Sequence, residues 1–245
     1  MTGPSGESDE EIDRCLDLFA GLGGFSQAFE DSERWEVTTV EIEERFDPDI
    51  CADVFEMRPS DFDREFDVVL ASPPCTYFST IRNVTKGGDP AWDGNDPATD
   101  DSRDALALVD HTRGLIRGLS PEYWFIENPR GMLRKRWRQP KATVWYCQYG
   151  HDSAKPTDLW GEHPPMEYRR CWYGNDACGH ARTQSYKEHG GGSDNRQGLL
   201  TETDAAERSK VPYQLSESIR DACERALDGD VAEQSTFEEV TPADD

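Results

Sequence analysis

The stretch that most limits the fold is Cys15-Leu16-Asp17-Leu18-Phe19-Ala20-Gly21-Leu22-Gly23-Gly24. Its first five residues read as a buried strand, the glycines as a tight turn, and residues 25 to about 31 as a helical stretch. Strand, glycine turn and helix form the opening unit of a nucleotide-binding α/β fold. Such a fold carries a mostly parallel, twisted sheet with helices on both faces. Glycines let the backbone approach a ligand closely. The order is Gly-x-Gly-Gly rather than Gly-x-Gly-x-x-Gly, which weakens a dinucleotide reading. The competing reading is a glycine-rich turn that holds no ligand.

The next strands favour a ligand, and an S-adenosylmethionine pocket is the better fit. Val37-Thr38-Thr39-Val40 reads as a second strand ending in Glu41, where a carboxylate can accept hydrogen bonds from both hydroxyls of a ribose. Ile42 beside it is placed to pack on an adenine face. Residues 49–54 read as a short third strand, with Asp53 set to meet the adenine amino group and Val54 its ring. In a chain with 50 acidic residues, an ordinary surface carboxylate is the alternative for both Glu41 and Asp53.

A fourth apolar run, Phe66-Asp67-Val68-Val69-Leu70, delivers Ala71-Ser72-Pro73-Pro74-Cys75 into a loop. Ligands of open α/β sheets bind outside the carboxyl ends of the strands. Cys75 therefore stands where chemistry happens, and two prolines fix φ and stiffen its loop. Taken alone, Cys75 reads first as a small buried hydrophobe at a strand end, and the other stretches change that. Residues 80–99 show no periodicity and read as a lid. Asp100-Asp101 offers a cap for a helix whose apolar face runs from Ala105 through Leu108, Val109 and Thr112 to Leu119. Tyr123-Trp124-Phe125-Ile126 is a further buried strand, ending in Glu127-Asn128-Pro129. Glu127 either faces the crevice of Cys75 or caps the next helix. Strands at 143–147 and 155–160 follow, and Val211-Pro212 opens a closing helix.

The net charge is −24, and only six of the 26 basic residues are lysine. That pattern reads as a surface adapted to a salt-saturated cytoplasm; the alternative is an ordinary acidic protein that repels nucleic acid. Against this background residues 130–141 hold six bases and no acid. Arg130, Arg134, Lys135, Arg136, Arg138 and Lys141 are the candidate phosphate contacts, or else a solvated charge run. Seven cysteines without a paired framework fit a reducing cytoplasm. No apolar stretch is long enough to span a membrane, and no signal-peptide core is seen. Cys171, Cys178 and His180 lie together in a loop-rich region, but their spacing matches no standard zinc pattern and offers no fourth ligand, so no metal is expected. The expected organisation is a disordered acidic segment 1–11, a cofactor-binding and catalytic core 12–160, a loop-rich insert 161–210, a closing helix 211–227 and an acidic tail 228–245.

In combination these stretches resemble the DNA (cytosine-5) methyltransferases. Asp17-Leu18-Phe19-Ala20-Gly21-Leu22-Gly23-Gly24-Phe25 is similar to the family's cofactor motif, and Pro74-Cys75 with Phe78-Ser79 to its nucleophile motif. Asp101-Ser102-Arg103 with Leu106 resembles the motif lining the adenine side, and Glu127-Asn128 the catalytic glutamate motif. The resemblance runs in motif order from Cys15 to about Trp160. It departs at Pro129, where the family has valine, and at Ser153-Ala154-Lys155-Pro156-Thr157, where it has Gln-x-Arg-x-Arg; Lys155 stands for the first arginine. The Gly-Asn before the last helix is missing, and the target-recognition region is cut to 161–210, as in compact phage-type members.

The resemblance implies a Rossmann-like methyltransferase fold, S-adenosylmethionine as cofactor with Pro74 and Leu106 in its pocket, and a flipped cytosine of double-stranded DNA as substrate. It further implies a monomer, Cys75 as nucleophile, and Glu127 and Lys155 beside it. A thiolate adding to C6 makes C5 enamine-like, which explains why the chemistry needs a cysteine. Two rivals stand beside it. An amino-methyltransferase also uses a Pro-Pro loop, but with an aromatic residue where this chain has Cys75. A non-catalytic module that keeps the fold and regulates a partner is favoured only by the altered Lys155 region.

Overall fold

Strand β1 (Asp13–Leu18) lies inside a sheet because its side chains alternate between two apolar layers. Leu16 and Leu18 face one layer with Val69, Ala71 and Ile126. Cys15 faces the other with Val68, Leu70 and Phe125. This is a computed structural model, and it describes residues 12–78, 90–137, 139–172, 175, 177, 178, 180 and 209–230. The expected acidic segment 1–11, most of the tail and most of the 161–210 insert lie outside the described residues, as do Ser79, Arg138 and the first part of the expected lid.

The main sheet runs β3 (Ile50–Cys51), β2 (Trp35–Glu41), β1, β4 (Val68–Ala71), β7 (Tyr123–Pro129), β9 (Pro156–Trp160), β8 (Ala142–Trp145). β3, β2, β1, β4 and β7 are parallel, and β9 runs antiparallel to both its neighbours. The chain passes from β1 outward to β3, then crosses back to β4 on the other side of β1. That reversal opens a crevice at the carboxyl ends of β1 and β4, the ligand site of open α/β sheets.

One face is covered by a long helix, Asp100–Leu119, whose Val109, Leu115 and Ile116 are buried. The other is covered by the closing helix Tyr213–Leu227 and by the single turn α1 (Gln27–Glu30). In chain order the long helix is α2, the short helix Leu133–Arg136 is α3, and the closing helix is α4. The α/β architecture with helices on both faces is the one the glycine turn implied.

Several local expectations change. The cap of α2 is Thr99, not Asp100 or Asp101. Its hydroxyl accepts the Ser102 N–H at 3.2 Å while Ser102 reciprocates to the Thr99 N–H, because a hydroxyl one residue before the helix reaches its free amides. β7 continues through Glu127, Asn128 and Pro129, since β9 offers antiparallel partners for all three. The latter half of the expected lid forms a hairpin of β5 (Trp92–Asp93) and β6 (Asp96–Pro97). Trp92 is buried there against Phe78 and donates its indole N–H to the Tyr77 carbonyl at 2.6 Å. β8 stops at Trp145 and the chain turns into a 3-10 helix at Tyr146–Tyr149. Among the described residues no helix is long and apolar enough to cross a membrane.

Candidate active site

The crevice is built from strand ends. After β1 the backbone leaves the sheet through left-handed conformations at Phe19 (φ 64°), Gly21 (φ 52°) and Gly23 (φ 68°). A Cβ on Gly21 would meet nothing within 4 Å, so the turn opens to space. Glu41, ending β2, is held by three backbone amides: Gly21 N–H at 3.0 Å, Ile42 N–H at 2.8 Å and Glu43 N–H at 3.2 Å. Its carboxylate oxygens retain lone pairs for further donors. Beside it Ile42 is 60% exposed, an apolar face without a cover. Carboxylate, open glycine turn and exposed aliphatic face fit the ribose and adenine of S-adenosylmethionine. Leu106 on α2 is half-buried, and Pro74 in the loop after β4 is exposed.

Two cofactor assignments, Gly24 and Val54, need correction. Gly24 does not open to a ligand: a Cβ there would lie 2.8 Å from the Val211 carbonyl, so its bareness lets the segment before α4 pack on the turn. Ser216 of α4 secures that contact, donating to the Phe25 carbonyl at 2.6 Å and accepting the Ala28 N–H at 3.1 Å. Val54 is 2% exposed and belongs to the core, because the chain enters a 3-10 turn there (Val54–Glu56) instead of extending a strand. Phe55 is the exposed apolar residue at that turn, packed on His111. Asp53 caps the same turn by accepting the Phe55 N–H at 2.9 Å, and stays exposed.

On the other side of the switch point β4 delivers Cys75. The Ser72 N–H donates to the Leu18 carbonyl at 3.1 Å, and Asn128 donates its side-chain amide to the Pro73 carbonyl at 3.0 Å. The loop is thus pinned to both neighbouring strands. After it, the Phe78 N–H returns to the Cys75 carbonyl at 3.0 Å and the Met132 N–H to the Phe78 carbonyl at 2.7 Å. Gly131 is required here, since any side chain would strike the Phe78 carbonyl.

The structure brings Cys75, Glu127 and Lys155 together. Burial pushes the Cys75 thiol up, the Glu127 carboxylate pushes it further, and Lys155 opposes both. Glu127 is 4% exposed, and burial raises its pKa against the pull of Lys155 and of a hydrogen bond from Tyr146. The Tyr146 hydroxyl donates to Glu127 Oε1 at 2.8 Å. The Lys155 ammonium lies 4.3 Å from the centre of the Tyr146 ring and donates to the Ser209 carbonyl at 3.4 Å. Tyr146 is a site residue that sequence reasoning missed. Tyr-Cys after Thr-Val-Trp reads as more strand, and only the antiparallel β9 turns this end of β8 toward β7.

The family model of C-5 cytosine-specific DNA methylases matches residues 14–145, more than half of the chain. The chain belongs to this family. It is an enzyme that methylates C5 of cytosine in DNA with S-adenosylmethionine as donor. A Frog virus 3 protein named "Probable DNA (cytosine-5)-methyltransferase" is 32% identical over 176 residues, which cover 67% of this chain and 77% of that one. The type II methyltransferase M.XorII of Xanthomonas oryzae is 28% identical over 141 residues, covering 51% of this chain and 30% of its own. A prophage-encoded E. coli protein, whose crystal structure carries the description of a DNA modification methyltransferase, aligns at 18% identity over 61% of this chain and 46% of that one, with a TM-score of 0.43.

The basic run 130–141 is not the uniform patch that its composition suggests. Arg134 pairs through two nitrogens with Asp158, which is fully buried on β9, so it serves a carboxylate inside the fold. Lys141 precedes β8 on the side away from the crevice and donates to the His163 carbonyl. Arg136 makes an exposed pair with Asp96 at 2.8 Å. Arg130 and Lys135 are exposed. Arg138 lies outside the described residues.

Proposed function

We propose that Cys75 is the nucleophile of the methyl transfer and Glu127 the acid that assists it. The observation that carries this reading is that Cys75 and Glu127 leave the ends of the adjacent strands β4 and β7, with Asn128 bonded to the Pro73 carbonyl and Tyr146 linking Glu127 to Lys155. The Cys75 sulfur adds to C6 of cytosine once its proton has left, which Lys155 favours by stabilising the thiolate. Burial keeps Glu127 protonated to higher pH, so it can deliver a proton toward N3 as electrons move into the ring. S-adenosylmethionine supplies the electrophilic methyl group that C5 takes. Loss of the C5 proton and rupture of the sulfur–C6 bond then restore Cys75. Asn128 keeps the Pro73-Pro74-Cys75 loop at one height throughout.

Phe19, Gly21, Gly23, Glu41, Ile42, Asp53, Pro74 and Leu106 are the residues we assign to the cofactor. A cytosine stacked in duplex DNA cannot reach a sulfur inside this crevice, so the base leaves the helix, at a cost of a few kcal/mol. Cys75 and Glu127 belong to one chain, so a monomer suffices.

The test is covalent trapping on DNA carrying 5-fluorocytosine, where loss of the C5 substituent is blocked. The parent protein is expected to form a denaturation-resistant complex that requires S-adenosylmethionine. Cys75→Ser is expected to abolish it, and Glu127→Gln to slow it while keeping the sulfur. Undiminished methylation by Cys75→Ser would overturn the assignment of Cys75 as nucleophile.

A further inference from the structure

Past the end of β8, where the Trp145 N–H donates to the Arg169 carbonyl at 3.1 Å, three cysteines and a histidine converge. Cys147 comes from the 3-10 turn Tyr146–Tyr149, and Cys171, Cys178 and His180 come from the segment that follows β9. One ligand atom from each lies within 4.8 Å of every other. We propose that these four side chains form a structural zinc site.

The geometry is that of a tetrahedral ligand set. Zn–S bonds of about 2.3 Å and Zn–N bonds of about 2.0 Å place neighbouring ligand atoms of a tetrahedron about 3.5–3.8 Å apart. His180 Nδ1 and Cys171 Sγ are 3.9 Å apart. Three thiolates with one imidazole is a standard closed zinc set, and soft sulfur with tetrahedral geometry selects zinc over hard cations. All four positions come from protein, which makes the site structural and leaves none for a reacting water.

The surroundings support it. Side-chain amides aim at the sulfurs: Asn175 Nδ2 lies 3.3 Å from Cys171 Sγ, and Gln148 Nε2 lies 3.3 Å from Cys178 Sγ. Such outer donors stabilise metal-bound thiolates. Cys171, Cys178 and His180 are each no more than 6% exposed. The apolar cluster holding this segment consists of Trp145, Ala154, Cys171 and Cys178, with Cys147 against it. Among the described residues three of these five are cysteines, and so small an apolar group does not hold a loop-rich segment without a staple. A disulfide would use two of the three sulfurs and leave the third and His180 unexplained. The spacing Cys147…Cys171…Cys178-x-His180 hides the site in the sequence, because its first ligand is 24 positions before the second. Cys147 directly follows Tyr146, so the metal would also fix the turn that presents the Tyr146 hydroxyl to Glu127.

The test is elemental analysis of the full-length chain, purified without an affinity tag that binds metal, in high salt and without chelator. About one zinc per chain is expected. Cys178→Ser and His180→Ala are expected to lower zinc content at least about five-fold. Cys51→Ser, on the far edge of the sheet, is expected to leave it unchanged. Cobalt added to the zinc-stripped chain is expected to give the intense visible bands of a tetrahedral thiolate site. Should the ligand variants fail to fold, the parent's zinc content and cobalt spectrum decide by themselves. A parent without zinc after refolding with the metal, together with cobalt bands of an octahedral site, would overturn the proposal. So would a disulfide among Cys147, Cys171 and Cys178 in freshly isolated protein.

Discussion

Tyr146 sits between the two charges that matter for Glu127: its hydroxyl donates to the carboxyl, and its ring face carries the Lys155 ammonium. The hydrogen bond favours the ionised carboxylate and so lowers its pKa, partly offsetting burial. Tyr146→Phe removes that offset and leaves the ring. The Glu127-controlled limb of the pH–rate profile is expected to move to higher pH, with kcat about ten-fold lower, since hydrogen bonds to charged groups are worth about 1.5–3 kcal/mol. Steady-state kinetics across pH check both; an unmoved limb would remove Tyr146 from the reaction. The strand-end positions of Cys75 and Glu127 were legible in the sequence because hydrophobic runs mark those ends, whereas Lys155 was pointed to only by the family resemblance. Tyr146 was not, because an apolar run cannot show where a strand stops and a 3-10 turn redirects the next side chain. Gly24 was misread for a similar reason. A glycine's sequence position does not say whether ligand or protein occupies the space its missing side chain leaves, and here Val211 does.

The β8–β9 hairpin and the basic run before it show the same limit for whole elements. The strands were found from their apolar content, but antiparallel β9 depends on pairing with β7, which local sequence does not display. Arg134 looked like one of six interchangeable bases until β9 brought Asp158 to it from 24 positions away. Removing one partner of a buried pair strands the other charge and costs about 3–5 kcal/mol. Arg134→Ala is accordingly expected to lower stability by about that amount in denaturant titrations. Arg130 and Lys135 are the positions where the phosphate reading survives. Replacing both with Gln is expected to make the log–log salt slope of DNA binding shallower by about 2, from about 0.9 per lost contact. Arg136 is a third such position: among the described residues its side chain is held by an exposed pair worth less than about 1 kcal/mol. An unchanged slope in the double variant would move the DNA elsewhere on the surface.

For the molecule as a whole, a charge of −24 and a set of desolvated carboxyls act on stability in the same direction. Asp17 is fully buried in β1, and burial raises its pKa to about 7 against the pull of Ser26. Glu127 and Glu30 are raised as well, with burial again the leading cause. An acid whose folded pKa lies above its unfolded value holds a proton in the native state that the unfolded chain has already released. Between the two values the native state binds more protons, so stability falls as pH rises through that window and levels off above it. For Asp17 the window runs from about pH 4 to about pH 7, and at about 1.4 kcal/mol per pKa unit the full loss is about 4 kcal/mol. Surface repulsion also grows as carboxylates ionise, but it is long-ranged and is screened when the Debye length shrinks to about 3 Å at 1 M salt. The buried contribution is screened far less. In molar salt the chain is therefore expected to lose stability between pH 5 and pH 8 in chemical denaturation, while Asp17→Asn, neutral at both, is expected to show a clearly flatter profile. It should match the parent near pH 4, where the window opens, and exceed it at pH 8. Equal pH slopes for parent and variant in high salt would mean that Asp17 ionises in the fold without penalty and that surface charge alone sets the pH dependence.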